Sequence, residues 1–206
     1  MIIGLTNSKG GVGKTTIAVH LVKWLSDKGR APIFVDADVQ SSSSGWVTEL
    51  DSKIPLHRIQ SPDELIEDIP TLLKQSDWIV IDGPAGLSEV TRAIMFRADE
   101  IFLPCGPSIL DLRAANDAIR LLKQAQSIRA GAPNATFIPN KLQRNYRLSR
   151  ELISASDQLG IKIAPGIGLR QAFADAAGQG SVVWEMGKKA QKAASEMTAL
   201  FEEIAP

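Results

Sequence analysis

The chain has 206 residues, 44% hydrophobic and 22% charged, and 23 Lys+Arg balance 23 Asp+Glu to a formal net charge of zero. That length suits one domain with a sizeable core, and the balance excludes a global field drawing the chain to nucleic acid or anionic lipid, so any such binding has to come from a local patch. Cys105 is the single cysteine, which excludes an internal disulfide framework and a cysteine metal cluster. No apolar run approaches the roughly twenty residues of a membrane span, and no leader segment is expected, so the expected location is cytoplasmic.

Taken in order, residues 1–5 are a short apolar run that reads as a buried strand. Ser8-Lys9-Gly10-Gly11-Val12-Gly13-Lys14-Thr15-Thr16 follows, and then an apolar pattern at helical spacing from Ile17 to Leu25, expected to run to about Asp27 and stop at Gly29. Strand, glycine-rich loop and helix are the context of a phosphate-binding loop. Glycines let the backbone N–H groups converge into an anion nest, and the helix beginning near Lys14 adds its positive dipole end. Lys14 offers a point charge to the β- and γ-phosphates, and the Thr15 hydroxyl is placed for Mg²⁺. The strict pattern wants glycine where this chain has Ser8, and a second lysine, Lys9, precedes the glycines.

Residues 32–36 read as a buried strand delivering Asp36-Ala37-Asp38-Val39-Gln40 to its carboxyl end, and Ser41 to Ser44 as a solvated loop with a helix cap. Ser61-Pro62-Asp63-Glu64 has the form of a capping box opening a helix with Leu65, Ile66, Ile69, Leu72 and Leu73 on its apolar side. Trp78-Ile79-Val80-Ile81-Asp82 is a Walker B pattern, an apolar strand whose aspartate meets the metal's water shell. Further strands are expected at 100–105, 136–140 and 161–164, with Cys105 packed inside. Helices are expected at about 108–128, 149–159 and 183–204, and residues 164–180 as the most irregular stretch. Strands alternating with helices predict an α/β fold of the P-loop NTPase kind, a mostly parallel twisted sheet covered by helices on both faces, in one domain.

Lys9-Gly10-Gly11-Val12-Gly13-Lys14-Thr15-Thr16 resembles the deviant Walker A motif of the ParA/MinD ATPases, and the resemblance extends over essentially the whole chain. Val35-Asp36-Ala37-Asp38-Val39-Gln40 looks like the family's Val-Asp-x-Asp-Pro-Gln, with Val39 in place of proline. The resemblance implies ATP and Mg²⁺ as ligands, with Gly10 to Thr16 around the phosphates. It makes Lys9 a lysine that reaches the partner's nucleotide across a dimer, and Asp38 the aspartate that orients the attacking water. It assigns Asp82 and Asp36 to the metal's surroundings and Asn140 to the adenine edge. The segment from Gly168 to Gly180, led by Arg170, is similar to the one that closes the family's nucleotide pocket. The implied function is a homodimer in the ATP state that binds nucleoid DNA without sequence preference. An adaptor stimulates its slow hydrolysis, and the cycle positions plasmid, chromosome or organelle cargo; one branch, the McdA type, spaces carboxysomes.

Candidate DNA contacts are the three-residue repeat Lys141, Arg144, Arg147 and Arg150, then Arg170, then Lys188, Lys189 and Lys192 at the start of the last helix. No base-reading motif is present, so backbone contacts are expected. A MinD-like membrane ATPase would use a basic amphipathic C-terminal helix, whereas residues 198–206 are acidic, so no membrane partner is expected. The nitrogenase iron-protein branch would need two cluster cysteines. A metabolic P-loop enzyme of the dethiobiotin synthetase-like kind would need a substrate pocket that no motif identifies.

Overall fold

The computed structural model describes residues 1–50, 53–143, 146–156 and 159–205. Among the described residues seven strands form one sheet: β1 (Ile2–Asn7), β2 (Ile33–Asp36), β3 (Leu56–Arg58), β4 (Ile79–Ala85), β5 (Glu100–Cys105), β6 (Asn134–Pro139) and β7 (Lys162–Ile163). Their order is β3-β2-β4-β1-β5-β6-β7 and every pairing is parallel, so the sheet is wholly rather than mostly parallel. β1 and β2 are buried at every position, as expected where helices cover both faces.

The helices are α1 (Lys14–Asp27), α2 (Ser42–Leu50), α3 (Pro62–Leu72), α4 (Glu89–Arg97), α5 (Ile109–Ile128), α6 (Arg147–Ser156), α7 (Gln171–Gly178) and α8 (Gln191–Ile204). Strand alternation splits the core into two layers. Ile33, Val35, Ile79, Ile81, Ile101 and Leu103 face one way, onto Leu65, Ile69, Met95 and Leu122 of α3, α4 and α5. Phe34, Val80 and Phe102 face the other way, onto Leu21, Leu25, Leu200 and Phe201 of α1 and α8.

Several boundaries depart from the sequence reading. The serines at 42–44 begin α2 instead of forming a solvated loop, and Ser43 and Ser44 are buried. β3 is only three residues long and exists through its pairing with β2. α4 is opened by Ser88, whose hydroxyl accepts the Thr91 N–H. α7 lies inside the stretch expected to be irregular. α8 starts at Gln191, after a 3-10 turn at Gly187–Ala190, so Lys188 and Lys189 precede it. Ser61 occupies the N-cap position of α3 but makes no side-chain capping bond.

From β1 the chain crosses toward β2, and from β5 it crosses the opposite way, toward β6. That reversal opens a crevice at the carboxyl ends of the central strands. The loops after β1, β2, β4, β5 and β6 meet there.

Candidate nucleotide-binding site

The glycine-rich loop is held from three sides. Asn7, the last residue of β1, donates its amide to the Pro104 carbonyl at 2.7 Å and accepts the Lys9 N–H at 3.0 Å. From the end of β6, Asn140 donates to the Val12 carbonyl at 2.7 Å and accepts the Lys141 N–H at 2.8 Å. Lys141 in turn reaches the Gly11 carbonyl at 2.6 Å. Gly13 has φ +100°, and a Cβ there would lie 2.2 Å from the Asn140 amide nitrogen, so conformation and space both require glycine. Gly13 is the N-cap of α1 and offers no side-chain acceptor, which leaves the first-turn N–H groups at Lys14, Thr15 and Thr16 facing the crevice mouth unpaired. Such a rim of donors at a helix N-terminus is an anion site.

The charged groups lie behind that rim. Lys14 is buried with its ammonium 3.3 Å from the Lys9 carbonyl; burial lowers its pKa, while the nearby Asp82 and Asp38 carboxylates raise it. Thr15 donates its hydroxyl to Asp82 Oδ2 at 2.8 Å. Burial pushes the Asp82 carboxyl up to about 7, against the pull of the Thr15 hydroxyl. Asp82 Oδ1 and the Ser43 hydroxyl are both buried, near enough for the hydroxyl to favour the Asp82 carboxylate but without a well-formed hydrogen bond to any group among the described residues. A buried oxygen without a well-formed bond beside a hydroxyl at a phosphate cradle fits Mg²⁺, which takes few protein ligands and completes its shell with water and phosphate oxygens. Among the described residues no group of three or more His, Cys, Asp or Glu could hold a metal by itself.

The two aspartates after β2 have different surroundings. Asp36, expected near the metal, has both oxygens taken up by the protein: Oδ2 by the Ser44 N–H at 3.0 Å and its hydroxyl at 2.5 Å, Oδ1 by the Asp38 N–H at 3.1 Å. It fixes the turn into α2, and Arg58 supports Ser44 from β3 at 3.0 Å. Asp38 is half-buried and accepts the Gln40 N–H at 3.0 Å. Its carbonyl accepts from Gln60 Nε2 at 3.0 Å.

Beside Gly13 and Thr16 opens a cavity of about 220 Å³ whose apolar lining includes Ile167, Leu169, Phe173 and Met197. Its size and apolar walls suit a planar base. At its edge Arg170 is bound through Nε to Glu196 at 2.8 Å and through a second nitrogen to the other carboxylate oxygen. Under the cavity lies His20, fully buried, its Nδ1 2.7 Å from the Thr16 carbonyl and its Nε2 accepting the Val183 N–H at 3.2 Å. Burial lowers its pKa to about 4, and the rings of Trp46, Phe173 and Trp184 meet it edge-on.

Residues 3–183 match the family described as the CobQ/CobB/MinD/ParA nucleotide binding domain. The chain belongs to that family. It is 27% identical over 210 residues to the maintenance of carboxysome distribution protein A of Halothiobacillus neapolitanus, covering 99% of this chain and 96% of the relative. Its fold superposes on the Cyanothece McdA(D38A)–ATP complex with a TM-score of 0.85 at 18% identity, over 98% of this chain and 95% of that one. It also superposes on the septum site-determining protein MinD of Pyrococcus horikoshii complexed with Mg-ADP, with a TM-score of 0.80 at 23% identity, over 99% and 95% of the two chains. The family is a nucleotide-binding domain, and its ParA and MinD members are ATPases.

For this family member, the crevice gathers Lys9, Gly10 to Thr16, Asp36, Asp38, Asp82 and Asn140. The basic candidates are dispersed. Arg144 lies outside the described residues. Of the described residues of the three-residue repeat, Arg147 and Arg150 lie in α6 and Lys141 precedes it, and Arg147 pairs with Glu151 at 3.2 Å. Lys141 belongs to the phosphate loop's support, and Arg170 is committed to Glu196. Lys188, Lys189 and Lys192 are exposed and form no ion pair among the described residues. Asn7, Ser43, Ser44, Gln60 and Asp111 were missed by sequence reasoning. Single polar residues carry no pattern, and only Asn7, one position before the loop, stood where a brace could be sought.

Among the described residues no helix is long and apolar enough to cross a membrane.

Proposed function

We propose that the chain is an ATP-switched positioning ATPase of the McdA and ParA kind, in which ATP with Mg²⁺ drives formation of a homodimer and the dimer binds DNA without sequence preference. The observation that carries this reading is the juxtaposition of Lys14, the Thr15–Asp82 pair and Asp38 around one unpaired N–H rim, with Lys9 at its outer edge. The carboxysome-distribution relative supports a role in distributing cargo; in our reading the nucleoid is the track and an adaptor stimulates turnover.

The chain's own groups divide the work. The rim from Gly10 to Thr16 and the Lys14 ammonium hold the phosphates, in a loop already braced by Asn7 and Asn140, so little ordering is left to do on binding. Thr15 and Asp82 would hold the metal, which when bound would supply positive charge beside the phosphates. Asp38, on a loop fixed by Gln60 and by the Asp36–Ser44 contact, orients the attacking water. Phosphoryl transfer needs placement more than a strong base, and a half-buried carboxylate supplies placement.

Val39, Ile109 and Leu110 are exposed at 71%, 61% and 63%. Val39 follows Asp38, and the other two precede Asp111, which contacts Lys9, so apolar surface flanks the crevice mouth on the loop after β2 and on the first turn of α5. A second copy closing over the nucleotide would cover it. Sedimentation velocity with and without ATP and Mg²⁺ tests the reading: a shift from monomer to dimer that ADP does not reproduce is expected, and a monomer under all conditions rejects it.

A further inference from the structure

We propose that Ser43 is a positioning residue of the Mg²⁺ site, its buried hydroxyl taking the place beside the metal that the family resemblance assigns to Asp36. This rests on the reading of Thr15 and Asp82 as the residues that would hold the metal.

Asp36 and Asp82 stand opposite each other where β2 pairs with β4. Both point to the face that packs on α1, as do Phe34 and Val80 two positions earlier in each strand. Asp82 Oδ2 accepts the Thr15 hydroxyl at 2.8 Å, and both Asp36 oxygens accept from the turn into α2. Asp82 Oδ1 is left, buried without a well-formed hydrogen bond among the described residues. Ser43, in the first turn of α2, is 1% exposed, and its hydroxyl is in the same condition. It is near enough to Asp82 to favour the charged carboxylate.

Neighbouring contacts hold that hydroxyl where it is. Ser44 is tied to Asp36 through its N–H and its hydroxyl, and Arg58 supports it at 3.0 Å. Further along α2, Val47 is fully buried and Trp46 donates Nε1 to the Ser181 carbonyl at 3.0 Å. The start of α2 is therefore fixed without nucleotide, and Ser43 cannot turn out to water. Burying a hydroxyl short of a full hydrogen bond costs stability. Two such oxygens side by side in a phosphate cradle point to a group that the protein itself does not supply.

A carboxylate only accepts, whereas a hydroxyl both donates and accepts. Mg²⁺ takes few protein oxygens and keeps several waters, whose hydrogens need acceptors. Asp82 Oδ1 and the Ser43 oxygen are the acceptors on offer, and the Ser43 hydrogen remains for Asp82. Asp36 spends its oxygens on Ser44 and Asp38 and acts at one remove, by placing Ser43. Ser43 thus ties the metal to α2, the helix that follows the Asp38 loop.

Ser43→Ala removes one oxygen and keeps the packing. The quantity to measure is the Mg²⁺ enhancement of nucleotide binding: the affinity for a fluorescent, non-hydrolysable ATP analogue with excess Mg²⁺, divided by that in EDTA. Losing a residue that supports a metal from behind its ligands costs about 10-fold or more in metal affinity. Ser43→Ala should lower the enhancement by about 10-fold and leave the affinity in EDTA within about twofold of wild type. Thermal melts of the nucleotide-free protein give a second readout. A hydroxyl short of a partner adds nothing to stability there, so Ser43→Ala should melt as high as wild type or higher. Ser42→Ala, at the exposed neighbour, should keep the wild-type enhancement. An undiminished enhancement in folded Ser43→Ala overturns the proposal, and a lower melting temperature beside it makes the hydroxyl a structural brace for Asp82. An equal fall for Ser42→Ala also overturns it, by showing a general loosening of α2. A wild type that binds the analogue equally with and without Mg²⁺ rejects the metal reading of Thr15 and Asp82, and the role of Ser43 with it.

Discussion

Asn140 donates its side-chain amide to the Val12 carbonyl at 2.7 Å, joining the carboxyl end of β6 to the crown of the phosphate loop. Its carbonyl oxygen is occupied too, by the Lys141 N–H at 2.8 Å. In this arrangement one N–H of the amide braces the loop, a structural role beside the adenine edge that the sequence reading assigns to Asn140. Losing one buried hydrogen bond costs about 1–3 kcal/mol. Asn140→Ala should therefore weaken ATP and GTP to similar extents, by about 10-fold, in a fluorescent-nucleotide competition assay. Weakening of ATP alone would return Asn140 to reading the base.

His20 gives the fold an acid limit. Its pKa is lowered to about 4 from the ordinary 6.5 because it is buried neutral between the Thr16 carbonyl and the Val183 N–H. The unfolded chain binds the proton first, so the stability contributed is complete above about pH 6.5 and is lost as pH falls toward 4. The full difference is about 3 kcal/mol. His20→Gln should be less stable than wild type at neutral pH. The gap should close progressively between pH 6.5 and 4 in chemical denaturation. A pH-independent gap would show that packing against Trp46, Phe173 and Trp184, and not protonation, sets the His20 contribution.

Basic residues divide by what they already bind. Arg170 is tied to Glu196, whereas Lys188, Lys189 and Lys192 are exposed without an ion pair among the described residues. Each lysine that meets a phosphate contributes about 1 to the salt slope of DNA binding. Lys188→Ala with Lys189→Ala should lower that slope by about 2 and weaken all sequences alike. Arg170→Ala should leave the slope nearly unchanged and act on nucleotide binding, because it opens the edge of the apolar cavity. A lowered slope for Arg170→Ala alone would reverse the assignment.

The phosphate loop, the sheet-delivered Asp38 and Asp82, and four of the longer helices were legible because periodicity and spacing are local. Glu100–Cys105 is found at the expected residues, and Gly29, at φ +74°, ends α1 as glycine chemistry requires. α7 was not legible: its eight residues bury only Ala176, which leaves no apolar stripe to read. β3 was not legible because three residues have no period, and their strand character comes from Phe34 and its neighbours in β2. The serines at 42–44 misled for a physical reason. Serine is typical of solvated loops, but here the Asp36 carboxylate draws the Ser44 hydroxyl and N–H inward. The Lys9–Asp111 pair links residues about a hundred positions apart, and nothing in either local sequence announces the other.

The central claim is that nucleotide state controls DNA binding. Its most direct test is binding of a fluorescent, sequence-scrambled DNA duplex by wild type and Asp38→Ala, at fixed salt, without nucleotide, with ADP and with ATP, Mg²⁺ present throughout. The account predicts binding only with ATP, transient for wild type and persistent for Asp38→Ala, whose ATPase rate should fall by about 100-fold or more on losing the residue that places the water. Equal binding without nucleotide, or undiminished turnover by Asp38→Ala, would contradict it.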